Sequence, residues 1–456
     1  MKSINYFVIG LFFVIVLIPL VCFNTTPNSI SVIDNRKLTE NPFSLNGDLT
    51  SNIQKYVNDR IGFRDDIITA YTVLNDRLFG KMVHPSYTYG KDGYVFGAGV
   101  TTTNGFGDFH IIFADMIAKI QSYCDERNVP FLFVFNPAKP AVYVDKIADG
   151  IKYNREWVDL FFLELDKRGV RYLDNTVILK DLRKQGIHGF NQKYDANHWN
   201  DFGAFYGTQA MLNTLHEMSE NVHVNELNEF SISTTLVDSL LVSKFPINEQ
   251  IPKLSHNKSI TNLYSSYFSE LKINKSFPGF GYYVNEIAEL RDTPKFLIFQ
   301  GSYMNGHGAK YMQNAFKEYI HVHDYQNVLD FPYYFNIFQP ECVVFEVAEY
   351  TFSNNYFNLN KMKTLDYNPS LIKLEKNEVN HIDVSTQEIT INEGNTLTTI
   401  MWNTKSVYSY VWIGLDNIYD MLKTDSGYQA TIETKRFKES KDSIKIYTTD
   451  IDKQNR

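Results

Sequence analysis

Three apolar runs without polar alternation, PFLFVF at 130–135, FLIF at 296–299 and CVVFEV at 342–347, constrain this chain more than any other feature. A strand with one wet face alternates apolar and polar residues, so a strand that is apolar nearly throughout must be covered on both faces. Segments of helical period lie between these runs. In 109–127, Ile112, Met116, Ile117, Ile120 and Cys124 share one helical face, and 157–167 and 309–319 also read as helices. Residues 93–96 and 170–173 read as short strands. Strand and helix in turn predict an α/β fold, with a mostly parallel sheet flanked by helices on both faces.

The 456 residues leave room for more than this one unit. Residues 6–23 carry no charge and follow Lys2, with no cleavage motif after them. They predict a transmembrane signal-anchor over 1–23, cytoplasmic at its start, making the chain a single-pass protein of the cell membrane with an extracytoplasmic body. A polar tether and two amphipathic helices, broken at Gly62, are expected over 24–85. The α/β body is expected over 86–370, and its 220–290 stretch loses all period and is read as an insertion carrying helices. Over 375–456, short β-prone runs separated by Asn, Gly, Asp and Lys predict a small β-sandwich as an accessory domain.

Charge and cysteines narrow the function classes. A formal net charge of -8 without a basic stripe leaves nothing to hold a nucleic-acid backbone. Of 3 cysteines, Cys124 and Cys342 lie in apolar stretches and read as buried thiols, and no CxxC spacing exists for a metal. The surplus of 34 Phe and 30 Tyr is expected mainly in the core.

Two stretches can carry chemistry. In YDANHWNDFGAFYG at 194–207, Asp195 and His198 stand just before a helix that Asn200 or Asp201 can cap. At that spacing a carboxylate can fix one imidazole nitrogen and leave the other free for a hydroxyl; a surface turn that merely caps and packs has the same pattern. In FLIFQGSYMNG at 296–306, a buried strand runs into Gly301 and Ser302, which presents the hydroxyl at the strand's carboxyl end beside backbone N–H groups able to face an oxyanion. A Gly-Ser turn after a strand is also common as plain structure. Together the stretches supply a nucleophile, a base and an orienting acid. Lys139, in NPAKP, is a candidate for an anionic substrate group, and Trp199 and Tyr303 are candidates for stacking on sugar rings; a solvated loop lysine and ordinary packing explain them as well. His321 and His323 alternate onto one face of an expected strand beside Asp324, and a metal there needs a further ligand.

GKDGYVF at 90–96, FLFVFNPAKPAVYVD at 131–145, DANHWN at 195–200, the strand and GSY element, and CVVFEVAEYTF at 342–352 occur in the order found in the AlgX and AlgJ family, which this chain resembles over roughly 40–360. YVNDRIGFRDDI at 56–67 is similar to that family's first helices. The resemblance implies an SGNH-hydrolase-like fold that O-acetylates a polysaccharide, with Ser302 as nucleophile, His198 as general base and Asp195 as orienting acid. Beside these, the residues themselves offer Gly301 and Tyr303, with Trp199 and Lys139, as candidates around the oxyanion and substrate, and neither cofactor nor metal is expected. The resemblance also implies a polysaccharide acceptor and a multi-pass membrane partner of the MBOAT type that delivers the acyl group. One departure stands out: the family often has its acid two residues before the His, where this chain has Ala196, and Asp195 lies three before. An acetyl esterase with the same residues and a non-catalytic glycan-binding scaffold are the competing readings.

Overall fold

In the computed structural model, residues 2–449 are described apart from positions 28, 32, 34–35, 46, 85, 102–104, 242–244, 257–260, 263–266, 268 and 375–377. The expected start of the accessory domain, at 375, lies outside the described residues. The central sheet contains β1 (Phe131–Asn136), β2 (Tyr172–Asp174), β3 (Thr261–Asn262), β4 (Phe280–Val284), β5 (Phe296–Gln300), β6 (Glu318–His323) and β7 (Cys342–Ala348). Its order is β2-β1-β7-β5-β6-β4-β3. The first five of these strands are parallel, and β4 and β3 add an antiparallel edge.

Period two explains why the runs are apolar nearly throughout, with Glu346 the exception. Phe131, Phe133, Phe135, Leu297, Phe299, Val343 and Phe345 enter one core with the helices Asp108–Asp125, Glu156–Lys167 and Phe331–Phe338. Leu132, Val134, Phe296, Ile298, Cys342 and Val344 enter a second core with Asn175–Lys184, Asp201–Met218 and Ala309–Ala315. Each face of the sheet is therefore covered, and the carboxyl ends of β1, β7 and β5 are left side by side at one rim. Cys124 and Cys342 are buried free thiols.

The N-terminal expectation is overturned. Lys2–Val21 forms a helix, but among the described residues no helix is long and apolar enough to cross a membrane. The transmembrane part of the expected fold, and the single-pass membrane location built on it, are withdrawn. The two helices after the tether are Leu49–Arg60 and Arg64–Phe79. They break at Gly62, where a Cβ atom would come within 2.6 Å of Cys22.

The 220–290 stretch also differs from expectation. Its longest described elements are not helices but the strands Phe230–Ser239 and Pro246–His256, paired as a hairpin. Beyond the α/β body, two four-stranded antiparallel sheets face each other across Trp402, Val411, Ile413, Tyr428, Ile432 and Ile446. They are fixed to the body at Asp420, whose buried carboxylate accepts hydrogen bonds from Tyr123 Oη at 2.6 Å and Arg127 Nη2 at 3.1 Å.

Candidate active site

Asp195 and His198 arrive on the turn before the Asp201–Met218 helix. Asp195 sits in the left-handed region at φ 50, which Asp tolerates because its short side chain bonds the local backbone. Its Oδ1 accepts from the N–H groups of Asn197 at 3.4 Å and His198 at 3.2 Å. Asn200 then caps the helix, with Oδ1 accepting the Gly203 N–H at 3.0 Å. The two glycines in DFGAFYG serve close packing: a Cβ at Gly207 would meet the Trp199 ring at 2.4 Å, and one at Gly203 would meet Gly189 O at 2.2 Å. The Trp199 ring therefore packs closely against Gly207 of the helix that follows it, and its Nε1 donates to Tyr303 O at 2.9 Å. That bond ties the turn carrying His198 to the turn carrying Ser302.

Ser302 follows β5 after the single residue Gly301 and opens a helix that continues to Ala315 through a π-helical turn at Met304–Gly308. The three residues picked from the two sequence stretches come together here. His198 Nε2 is 2.8 Å from Ser302 Oγ, and His198 Nδ1 is 2.7 Å from Asp195 Oδ1. Burial pushes the Asp195 carboxyl up, yet the hydrogen bonds and charge of His198 outweigh burial and leave it below the usual carboxylate range. An ionised Asp195 holds a proton on Nδ1, which makes Nε2 the acceptor for the Ser302 hydroxyl.

The other expected site residues stand elsewhere. Trp199 and Tyr303 are fully buried; the one Tyr303 Oη–H is shared between Pro137 O at 2.8 Å and Asn197 O at 2.7 Å. They brace the site and do not offer a face to a sugar. Lys139 is also fully buried, its Nζ donating to Val95 O at 2.7 Å and Gln192 O at 3.0 Å, so it does not reach an anionic substrate. The Gly301 N–H donates to Glu346 Oε2 at 2.7 Å and is engaged before any oxyanion forms. The remaining oxyanion donors are the first N–H groups of the Ser302 helix, which by helix geometry have no intrahelical acceptor.

Sequence reasoning assigned no role to Tyr350. Its Oη lies 2.8 Å from Ser302 Oγ and 3.1 Å from His198 Nε2. Although the side chain as a whole is exposed, desolvation of its hydroxyl end holds the phenol well above its usual value, so it remains a donor beside the nucleophile. Tyr350 belongs to the CVVFEVAEYTF stretch, two residues past β7, and the carboxyl edge of a parallel sheet was the signal that pointed to it. His321 and His323 lie on β6, where His321 stacks on Tyr283. Among the described residues, no group of three His, Cys, Asp or Glu is arranged to hold a metal.

No family model matches the chain, and no curated protein matches it. Solved structures do. PatB1 of Bacillus cereus aligns with TM-score 0.45 at 16% identity over 59% of this chain and 97% of its own. The O-acetyltransferase domain of AlgJ from Pseudomonas putida aligns with TM-score 0.43 at 12% identity, covering 61% of this chain and 99% of the domain. AlgX of Pseudomonas aeruginosa aligns with TM-score 0.37 at 9% identity over 80% of this chain and 94% of its own.

Proposed function

We propose that this protein is a serine O-acyltransferase that moves an acetyl group to hydroxyls of a polysaccharide. The observation that carries the reading is the line from Asp195 through His198 to Ser302, with both contacts within hydrogen-bond reach. Ser302 Oγ attacks the carbonyl carbon of an acetyl ester while its proton passes to His198 Nε2, and the oxyanion rests on the N–H groups opening the Ser302 helix. Collapse of the tetrahedral adduct breaks the bond to the leaving oxygen, which takes the proton from His198. A sugar hydroxyl then gives its proton to His198 and attacks the acetyl-serine; collapse of this second adduct breaks the bond to Ser302 Oγ, which takes the proton back from His198 and regenerates both residues. The reading includes a polysaccharide acceptor and a multi-pass membrane partner of the MBOAT type as the acyl source.

The same chemistry with water as acceptor is ester hydrolysis. Incubating the purified chain with an activated acetyl ester, with and without acceptor oligosaccharide, separates the two. Acetylated oligosaccharide and faster turnover in its presence are expected. Free acetate alone, at a rate indifferent to the oligosaccharide, makes the protein an esterase.

A further inference from the structure

The segment Gln192 to Tyr194, which leads into Asp195, is gripped from two sides by residues outside the proposed chemistry. On one side stands Glu249, on the second strand of the 230–256 hairpin. Its Oε1 accepts the Gln192 N–H at 2.6 Å, and its Oε2 accepts those of Lys193 at 3.0 Å and Tyr194 at 2.6 Å. Three consecutive amides thus converge on one carboxylate. On the other side, Gln192 O accepts from Val95 N at 2.9 Å and from Lys139 Nζ, which also donates to Val95 O. The apolar residues beside this grip agree with it. Ala196, one residue past the acid, is buried in a small core with Val95 and with Leu240 and Phe245 of the hairpin turn.

We infer that Glu249 and Lys139 are positioning residues, a two-sided clamp that fixes the backbone before Asp195 and through it the orientation of His198. The inference rests on the proposed acyl transfer for its kinetic consequence, though the contacts stand without it. The clamp also accounts for the hairpin, because an insertion that is mostly exposed along Phe230–Ser239 supplies the carboxylate that holds the acid's loop. Hydrogen bonds to charged acceptors are about twice as strong as neutral ones, and three on one carboxylate remove the freedom of a segment with no helix or strand of its own. Lys139 serves in either protonation state, because an amine has a hydrogen for each of the two carbonyls.

The test uses the full chain with Glu249→Ala and Glu249→Gln, which alter a hairpin residue and spare the core; Lys139→Met is a supporting variant. Two readouts are taken: the rate of Ser302 acylation by p-nitrophenyl acetate, and the imidazole resonances of His198 by NMR on histidine-labelled protein. Misplacing a catalytic group by about 1 Å costs roughly 100-fold. Glu249→Ala is expected to lower kcat by about that factor, with KM unchanged, the protein still folded at the assay temperature and the His198 Nδ1–H resonance moved. Glu249→Gln, which keeps an accepting oxygen, is expected to recover part of the rate. A Glu249→Ala rate within about twofold of the parent with an unmoved His198 resonance overturns the clamp. So does a rate loss explained wholly by a lowered unfolding midpoint. If the parent itself is never acylated, the transferase reading fails, and the His198 resonance alone then decides the clamp.

Discussion

Replacing Lys139 with Met tests whether this lysine is as deeply enclosed as its contacts imply. Burial pushes its ammonium down from 10.5 to about 7, against the opposing pull of Glu249 and Asp195. Between pH 7 and 10.5 the unfolded chain therefore carries a proton that the folded chain has released, and stability must rise with pH across that window. The contribution is full above the unfolded value and is lost as pH falls through about 7. The slope of one such group is about 1.36 kcal/mol per pH unit. The stability difference between parent and Lys139→Met is thus expected to shift by roughly 2.5 kcal/mol in favour of the parent between about pH 7.5 and about pH 9.5. Urea unfolding of both proteins at the two pH values measures it, and every other titrating group cancels in the difference. A difference that stays flat with pH, or moves toward the variant, refutes the enclosure of Lys139.

Three further outcomes follow from the same geometry. Burial and the neighbouring Asp324 push the Glu346 carboxyl from 4.5 up to about 8, so the wild-type residue loses stability as pH rises through that window. Urea unfolding of Glu346→Gln should show the variant gaining on the parent from pH 4.5 to 8 and no further gain above it. Asp420→Ala leaves the Arg127 guanidinium buried without its carboxylate and should cost about 3–5 kcal/mol, read from the unfolding midpoint. Asp195→Asn keeps the shape of the turn but turns the His198 tautomer the wrong way, and should cut kcat by about 10⁴-fold in the acetyl ester assay.

The central sheet was legible because strands buried on both faces leave no choice of residue: Phe131 to Phe135 is apolar at every position, and each side chain enters one of two cores. Asp195, His198 and Ser302 were legible because activating a hydroxyl requires those residue types at one sheet edge. Direction was not legible. Whether Trp199 faces outward or packs inward depends on Gly203 and Gly207 seen in three dimensions, and an aromatic beside a histidine has the same letters either way. Lys139 reads as a loop cation until the carbonyls of Val95 and Gln192 close over it, since lysine is seldom fully buried. The hairpin escaped because its first strand is exposed at nearly every position, so neither face imposes an alternation. In the first helix, unbroken apolarity from Tyr6 read as a span, whereas among the described residues no helix is long and apolar enough to cross a membrane.

Intact-protein and peptide mass spectrometry after a brief incubation with an activated acetyl ester tests the account at its centre. One added acetyl group on the peptide containing Ser302 is predicted, absent from Ser302→Ala and strongly diminished in His198→Ala. Acetylation spread over surface lysines with Ser302 unmodified, or equal labelling of the Ser302→Ala protein, contradicts it.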